Sequence, residues 1–403
     1  MLRARLLENV GEAKPVVRGG LPPAAVRGGL PPPAAGAAVF LALCRREGNV
    51  ASSPASLEIA LSMAAAGASV GTRTYAELCQ ALGHTGEEHE VHARLAGIIQ
   101  LLLGCGSRKQ MLVANSLWVS GGVQEEFVEC CKRVFSADVY RLQSAQIINA
   151  WVAANTRNEI RELLSTDPTD SVLLNALYFK ANWHTPFDPK KTKTALFRSL
   201  AGDSECRMMH IPALQCTRGD TKHACYVVVP YEQEHEDGGF CALVVLPHSP
   251  GAAGLLAAAT DLFGTPDGIH DAVNRAVDDR VRLSMPVFEI DSPVLSLKAE
   301  LQALGVNGLF TSCELGRMSS KTTTVSDVKQ KMVVRVDETG TVAAAATVVQ
   351  TTRGGGGGAR QMFELVVDRP FLFVVFDELS RTTLFAAKVA TVSGSSHPAP
   401  DVV

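Results

Sequence analysis

Across its 403 residues the chain carries a formal net charge of −3, so it has no basic surplus with which to hold a nucleic acid as its main partner. An apolar share of 46% supports a sizeable buried core, and 20% charged residues is ordinary for a globular protein. Ten cysteines are scattered without a CxxC pair or framework spacing, which argues against a ribbon-type zinc site and for reduced thiols in a reducing compartment.

Met1 to Pro33 bears charge at Arg3, Arg5, Glu8 and Glu12 but no apolar core of signal-peptide length. Within it, VRGGLPPAA from Val17 to Ala25 recurs as VRGGLPPPAA from Val26 to Ala35. Proline and glycine at this density sustain neither helix nor sheet, so residues 1–35 are expected to form a disordered or polyproline-like tail. Two copies are too few for a repeat fold. Ala34 to Leu43 is apolar but too short to span a bilayer, and reads as the first amphipathic helix of a folded domain. Ser52-Ser53-Pro54 reads as a helix start with proline in the first turn.

His84, His89 and His92 stand among Glu87, Glu88 and Glu90, but HExxH spacing is missing, so a solvated connection is expected rather than a metal site. A turn at Gly104 to Lys109 separates two helical stretches, and helical periodicity dominates from Gly36 to about Leu164. Ile148, Trp151, Val152, Asn155, Ile160 and Leu163 recur at helical spacing on one face. Strands then take over at Val172–Phe179, Cys225–Pro230, Cys241–Leu246, Val281–Ile290, Lys331–Val336 and Phe371–Phe376. The last is apolar throughout, as a strand buried on both faces would be. Helices first and long β runs later predict a mixed α+β fold. With no GxSxG, no Cys–His signature and no phosphate-binding glycine loop, the chain does not read as an enzyme. It also contains no Asn-X-Ser/Thr acceptor, which together with the thiols favours a cytoplasmic location.

The most distinctive segment is VDETGTVAAAATVVQTTR, Val336 to Arg353, followed by five glycines, Gly354 to Gly358. Branched residues flank the alanines and favour extended backbone, whereas the glycine run must be loop. Every second residue from Thr341 is small (Thr341, Ala343, Ala345, Thr347), so one face of such a strand could enter a crowded sheet without steric cost.

That pattern closely resembles the reactive-loop hinge of the serpins, the suicide protease inhibitors. Further motifs fall in the family's order: Asn49 to Ser56 (NVASSPAS) with Leu61, Met63, Gly67, Ala68, Gly71 and Thr72; Leu174 to Trp183 (LNALYFKANW) with Phe187; Leu304-Gly305-Val306; Leu309-Phe310; Val325-Ser326; and Asp368 to Phe373 (DRPFLF). The resemblance covers residues 36 to 392. It implies an α+β serpin fold, three β-sheets with eight or nine helices, an exposed reactive loop at about 338–362, and a flexible tail at 393–403. It assigns Glu338, Gly340, Thr341, Ala343, Ala344, Ala345, Ala346 and Thr347 to the hinge. Ser53 and Ser56 match the shutter serines, with Gln330 where the family usually has histidine; Trp183 matches the breach, with Asn175 and Thr192 as supports. Glutamine donates and accepts but does not titrate near neutral pH, so sheet opening is expected to depend weakly on pH.

A protease reads the side chain just before the bond it cuts, and arginine suits a pocket with a buried carboxylate. Between Gly340 and Gln361 only Arg353 and Arg360 qualify. Counted from Glu338, the family's usual hinge length reaches Gly354, and a hinge one residue shorter selects Arg353. Arg360 would add seven residues, about 23 Å of strand, slack that leaves a captured protease undistorted. The reading is therefore a bait bond at Arg353–Gly354, with Arg360 the alternative bait. The implied partner is a trypsin-like serine protease held in a covalent complex. A scaffold protein that has lost inhibition and a cysteine-protease target remain the alternatives; caspases are disfavoured because no Asp lies between Thr339 and Gln361. No cofactor, nucleic acid or membrane partner is expected. Heparin is not expected either, since the 104–109 region offers only Arg108 and Lys109, and the protein should be monomeric.

Overall fold

Branched and aromatic runs of this chain form strands and its alanine-rich runs form helices, as intrinsic preference dictates. The computed structural model describes residues 34–83, 97, 99, 109–232, 239–311, 314–321, 323–341 and 362–392. In chain order the strands are β1 (Val50–Ser52), β2 (Lys109–Val119), β3 (Asp138–Arg141), β4 (Ser171–Asn182), β5 (Lys193–Ser199), β6 (Gly202–Asp220), β7 (Ala224–Pro230) and β8 (Phe240–Pro247). They continue as β9 (Val277–Pro286), β10 (Phe288–Asp291), β11 (Leu295–Ser296), β12 (Val325–Val336), β13 (Gly340–Thr341), β14 (Phe363–Val366), β15 (Phe371–Asp377) and β16 (Thr383–Val389).

One sheet runs β10-β12-β4-β2-β3, with β11 on β12 and β13 on β4. The other runs β1-β16-β15-β8-β7-β6-β9-β14, with β5 on β6. The ladder between β6 and β9 slips between Ile211 and Leu214, where Pro212 has no N–H to donate. On one side of the slip β6 pairs with β5, on the other with β7. The longer sheet is continuous across the slip, its two halves differing in the strand that flanks β6.

Nine α-helices lie among the described residues. The first, α1 (Ala34–Leu43), begins inside the second repeat copy. Unlike the amphipathic helix expected there, AAGAAVFLAL has no polar residue. It needs none, because Val39 and Leu43 enter one apolar cluster and Phe40 enters another. The Lys388 ammonium closes its C-terminal end, donating to the carbonyls of Cys44 at 3.2 Å and of Arg46, and burial holds its pKa below the usual lysine value. Helix α2 (Pro54–Gly67) starts as anticipated: the Ser53 hydroxyl accepts from the Ser56 N–H at 3.1 Å and Pro54 sits where no N–H is needed. Every residue of α2 is buried, packed on β2, β4 and β16; its alanines and serines are small enough for that approach.

Three local expectations differ. The stretch read as helical includes β2, a long strand of the first sheet, so Lys109 opens a strand; residues 104–108 lie outside the described residues. Periodicity missed β2 because it is covered on both sides, with Leu117 in one apolar cluster and Trp118 in another. The helix carrying Ile148, Trp151 and Val152 ends at Asn155, where Arg157 and Asn158 take positive φ values of 52° and 65°. Ile160 and Leu163 join the same cluster from beyond the helix. Val281–Ile290 is two strands in two sheets, β9 and β10, separated at Val287.

Candidate functional site

β12 ends at Val336 and reverses through Asp337 to Thr339 into β13. The Asp337 carboxylate builds this turn: Oδ1 accepts from the Thr339 N–H (2.9 Å), the Thr339 hydroxyl (2.7 Å) and the Gly340 N–H (3.2 Å). β13 then lies antiparallel to β4, with Gly340 opposite Asn182 and Thr341 opposite Ala181. Only glycine fits the first position, since a Cβ there would stand 2.1 Å from the Ala181 carbonyl oxygen. Thr341 is fully buried, its hydroxyl 3.0 Å from that of Tyr231. Tyr231 stacks on Trp183, ring centroids 4.5 Å apart. Trp183 closes the assembly, its ring N–H donating to the Asp337 carbonyl (3.0 Å) and its backbone N–H to the Thr339 carbonyl (2.9 Å). Glu338 is clamped from outside: Oε1 accepts from the Thr192 hydroxyl at 2.8 Å and from Arg207 at 2.6 Å. Burial pushes the Tyr231 hydroxyl's pKa up, so it stays protonated and can serve Thr341 as donor or acceptor.

Below β13, β12 and β4 run parallel through nine paired positions, from Val325 opposite Ser171 to Val334 opposite Phe179. Midway, Gln330, Asn175 and Asn115 form one row across β12, β4 and β2, over the start of α2. Gln330 accepts from the Ser53 N–H (3.1 Å) and donates to the Ser53 carbonyl (3.3 Å) and to Asn175 Oδ1 (2.9 Å). The Ser56 hydroxyl donates to Asn115 Oδ1 at 3.1 Å, and the Asn175 amide donates to both Ser56 and Asn115. The Ser53 hydroxyl donates to the Leu384 carbonyl at 2.6 Å. Within this network the Gln330–Asn175 bond is the one that joins β12 to β4. Parting the strands would break it and take from Asn175 Oδ1 its donor, while Ser53 kept Gln330 and the Asn175 amide kept Ser56 and Asn115.

The structure thus brings Glu338, Gly340 and Thr341 together with Trp183 and Thr192, and separately gathers Ser53, Ser56, Asn175 and Gln330. The hinge residues Ala343, Ala344, Ala345, Ala346 and Thr347, the bait candidates Arg353, Gly354 and Arg360, and the histidines 84, 89 and 92 lie outside the described residues. Asn115, Tyr231 and Arg207 escaped the sequence reading. A polar residue inside the apolar run MLVANSLWV was a usable signal for Asn115; nothing local marks the other two. Among the described residues no group of His, Cys, Asp or Glu could hold a metal ion, and no helix is long and apolar enough to cross a membrane. Gly340→Ala should force Gly340–Thr341 off β4 and break the Thr341–Tyr231 bond, destabilising the intact protein by about 2 kcal/mol. Urea denaturation should show the loss, and an unchanged midpoint would mean that β13 contributes nothing.

The serpin (serine protease inhibitor) family model matches residues 36–392. Iripin-3 of Ixodes ricinus is 33% identical over 358 residues, 85% of this chain and 88% of that protein. Serpin-Z4 of Hordeum vulgare is 28% identical over 364 residues, covering 86% and 90%. Among solved structures, Serpin48 of the insect Tenebrio molitor shares the fold with a TM-score of 0.77 at 24% identity, over 89% of this chain and 96% of its own. With its two mixed sheets, its buried α2 and a family match over most of its length, the chain belongs to the serpins.

Proposed function

We propose that this serpin is inhibitory and traps a trypsin-like serine protease as an acyl-enzyme, with Arg353–Gly354 as the bait bond. The observation that carries this is the seating of Thr341 beside Ala181 and Tyr231 at the top of the β4–β12 junction. Were that antiparallel register continued after cleavage, Ala343 would come opposite Phe179, Ala345 opposite Leu177, Thr347 opposite Asn175, and Thr351 opposite Ser171, where β4 begins. Thr341 to Thr351 would thus fill the length of β4, about 34 Å. Arg353 follows just beyond, whereas Arg360 would leave a long slack tether.

In the reaction the protease serine oxygen adds to the Arg353 carbonyl carbon. The bond to Gly354 breaks, its nitrogen takes the proton, and an ester joins Arg353 to the protease. The freed strand then separates β12 from β4, Thr347 entering where Gln330 now meets Asn175. One parallel ladder is exchanged for two antiparallel ones, the slightly more stable pairing. The ester-linked protease is drawn the length of the sheet and distorted before water can release it. Cys44, Cys131, Cys206, Cys216 and Cys225 carry no disulfide, and burial pushes the Cys44 and Cys216 thiols up to about 12; such inert reduced thiols support a reducing, cytoplasmic setting.

Incubation with trypsin should give a complex that survives boiling in SDS, together with a released peptide beginning at Gly354. Arg353→Ala should abolish the complex and Arg360→Ala should leave it nearly intact. A peptide beginning at Gln361, or loss of complex in Arg360→Ala alone, would move the bait.

A further inference from the structure

The ground around both ends of the bait loop is cationic, although the whole chain is not. Lys190, Lys191 and Lys193 are exposed on the short turn Pro189–Lys191 and the first residue of β5. Asp188 shapes the turn by accepting from the Lys190 N–H at 3.0 Å. Thr192, between the lysines, bonds Glu338 at 2.8 Å, so the lysines stand where the loop leaves the body. The chain returns from the loop into β14, whose Glu364 lies opposite Arg282 of β9. Arg282 is exposed as well, and its ion pair with Glu364 is a loose 3.7 Å.

His210 joins the two groups. It pairs with Ser284 across β6 and β9, its ring Nδ1 2.9 Å from the Ser284 hydroxyl. Burial first, then Arg282, Lys191 and Lys193 against the opposing pull of Glu364, hold its pKa below the usual histidine value. His210 thus lies within electrostatic reach of Arg282 and Glu364 on one side and of Lys191 and Lys193 on the other. Four exposed cations face two exposed carboxylates here, Asp188 and Glu364, while the buried Glu338 is taken up by Arg207 and Thr192, and the Lys191–Asp188 contact is 3.9 Å long. Among the described residues no ion pair engages Lys190 or Lys193. Exposed pairs of this kind add little to stability, so holding the fold does not account for the cluster.

We propose that Lys190, Lys191, Lys193 and Arg282 form a docking rim for the acidic surface of the attacking protease, steering it onto the bait before cleavage. This rests on the inhibitory reading above. The cations bracket both ends of the loop rather than lining one track, and Asp188 and Glu364 interrupt them. That arrangement suits a protease whose bulk sits over the loop and suits a long polyanion poorly. Complementary charge of this type acts through encounter, raising the association rate and falling away with salt.

Two trypsins with the same arginine specificity, one anionic and one cationic, separate the possibilities. In the combined variant Lys190→Gln, Lys191→Gln, Lys193→Gln, association with anionic trypsin should slow on the order of 10-fold. Association with cationic trypsin should hold or quicken, and the stoichiometry of inhibition should stay unchanged with both. In the unmodified protein, rising ionic strength should slow the anionic enzyme alone, an arm that needs no variant to fold. Trapping of both enzymes at rates indifferent to charge and salt would overturn the rim and leave the inhibitory reading intact. Failure to trap either trypsin would overturn both. A rate loss seen only when a sulfated polysaccharide is added would assign the lysines to a polyanion and overturn the rim.

Discussion

Ala345→Glu should turn the protein from an inhibitor of trypsin into a substrate that is cut and released. On the register set by Thr341 opposite Ala181, position 345 enters the sheet between Leu177 and Met332, which now face each other across β4 and β12 and are fully buried. An unpaired carboxylate at that point costs several kcal/mol, and about 1.4 kcal/mol slows a step tenfold. Insertion competes with hydrolysis of the ester, so a delay of this size hands the race to water. The intact fold should tolerate the change, because β4 and β12 are joined directly to one another beside Leu177 and nothing of the loop lies between them there. Titration should show many moles of variant consumed per mole of trypsin inhibited, with the melting temperature of uncut protein unaltered. A variant that still formed stoichiometric stable complex would show that the register, or insertion itself, does not operate.

How much of this was legible in the sequence follows from whether a residue's meaning is local. The Ser53-Pro54 helix start and the wholly apolar Phe371–Phe376 strand announce themselves, since capping chemistry and burial on both faces need only neighbours in sequence. β2 did not: with Leu117 and Trp118 packed into clusters on opposite sides, neither strand alternation nor helical period survives in its composition. The junction at Val287 is equally silent, because a change of sheet leaves the backbone extended. The site shows the same division. Gly340 is legible beside the Asp337 turn that precedes it, as Trp183 is through its motif. Asn115 acquires a role only when β2 brings it beside Asn175 and Ser56, each about 60 positions away in the chain. Tyr231 and Arg207 likewise act on Thr341 and Glu338 across more than 100 residues, and no spacing rule reaches that far.

The second large effect should appear on heating. β4 and β12 are bonded to each other along nine paired positions, with Gly340–Thr341 above them on β4; on the inhibitory reading proposed above, the intact sheet can still accept one more strand. A cut in the loop should let residues 342 to 351 follow Thr341 downward, adding a central strand with ladders on both sides and small side chains on its inner face. Both surfaces it would meet are apolar, Leu177 and Phe179 on one side and Leu174 and Tyr178 on the other. The gain should exceed that of any single stabilising substitution, a rise in melting temperature on the order of 15 °C or more. The decisive measurement is therefore a pair of melting curves, one of intact protein and one of protein nicked once between Gly340 and Gln361. The account predicts an ordinary transition for the first and a far higher one for the second. Equal or lower melting of the nicked protein would contradict it and leave a serpin fold that no longer inhibits.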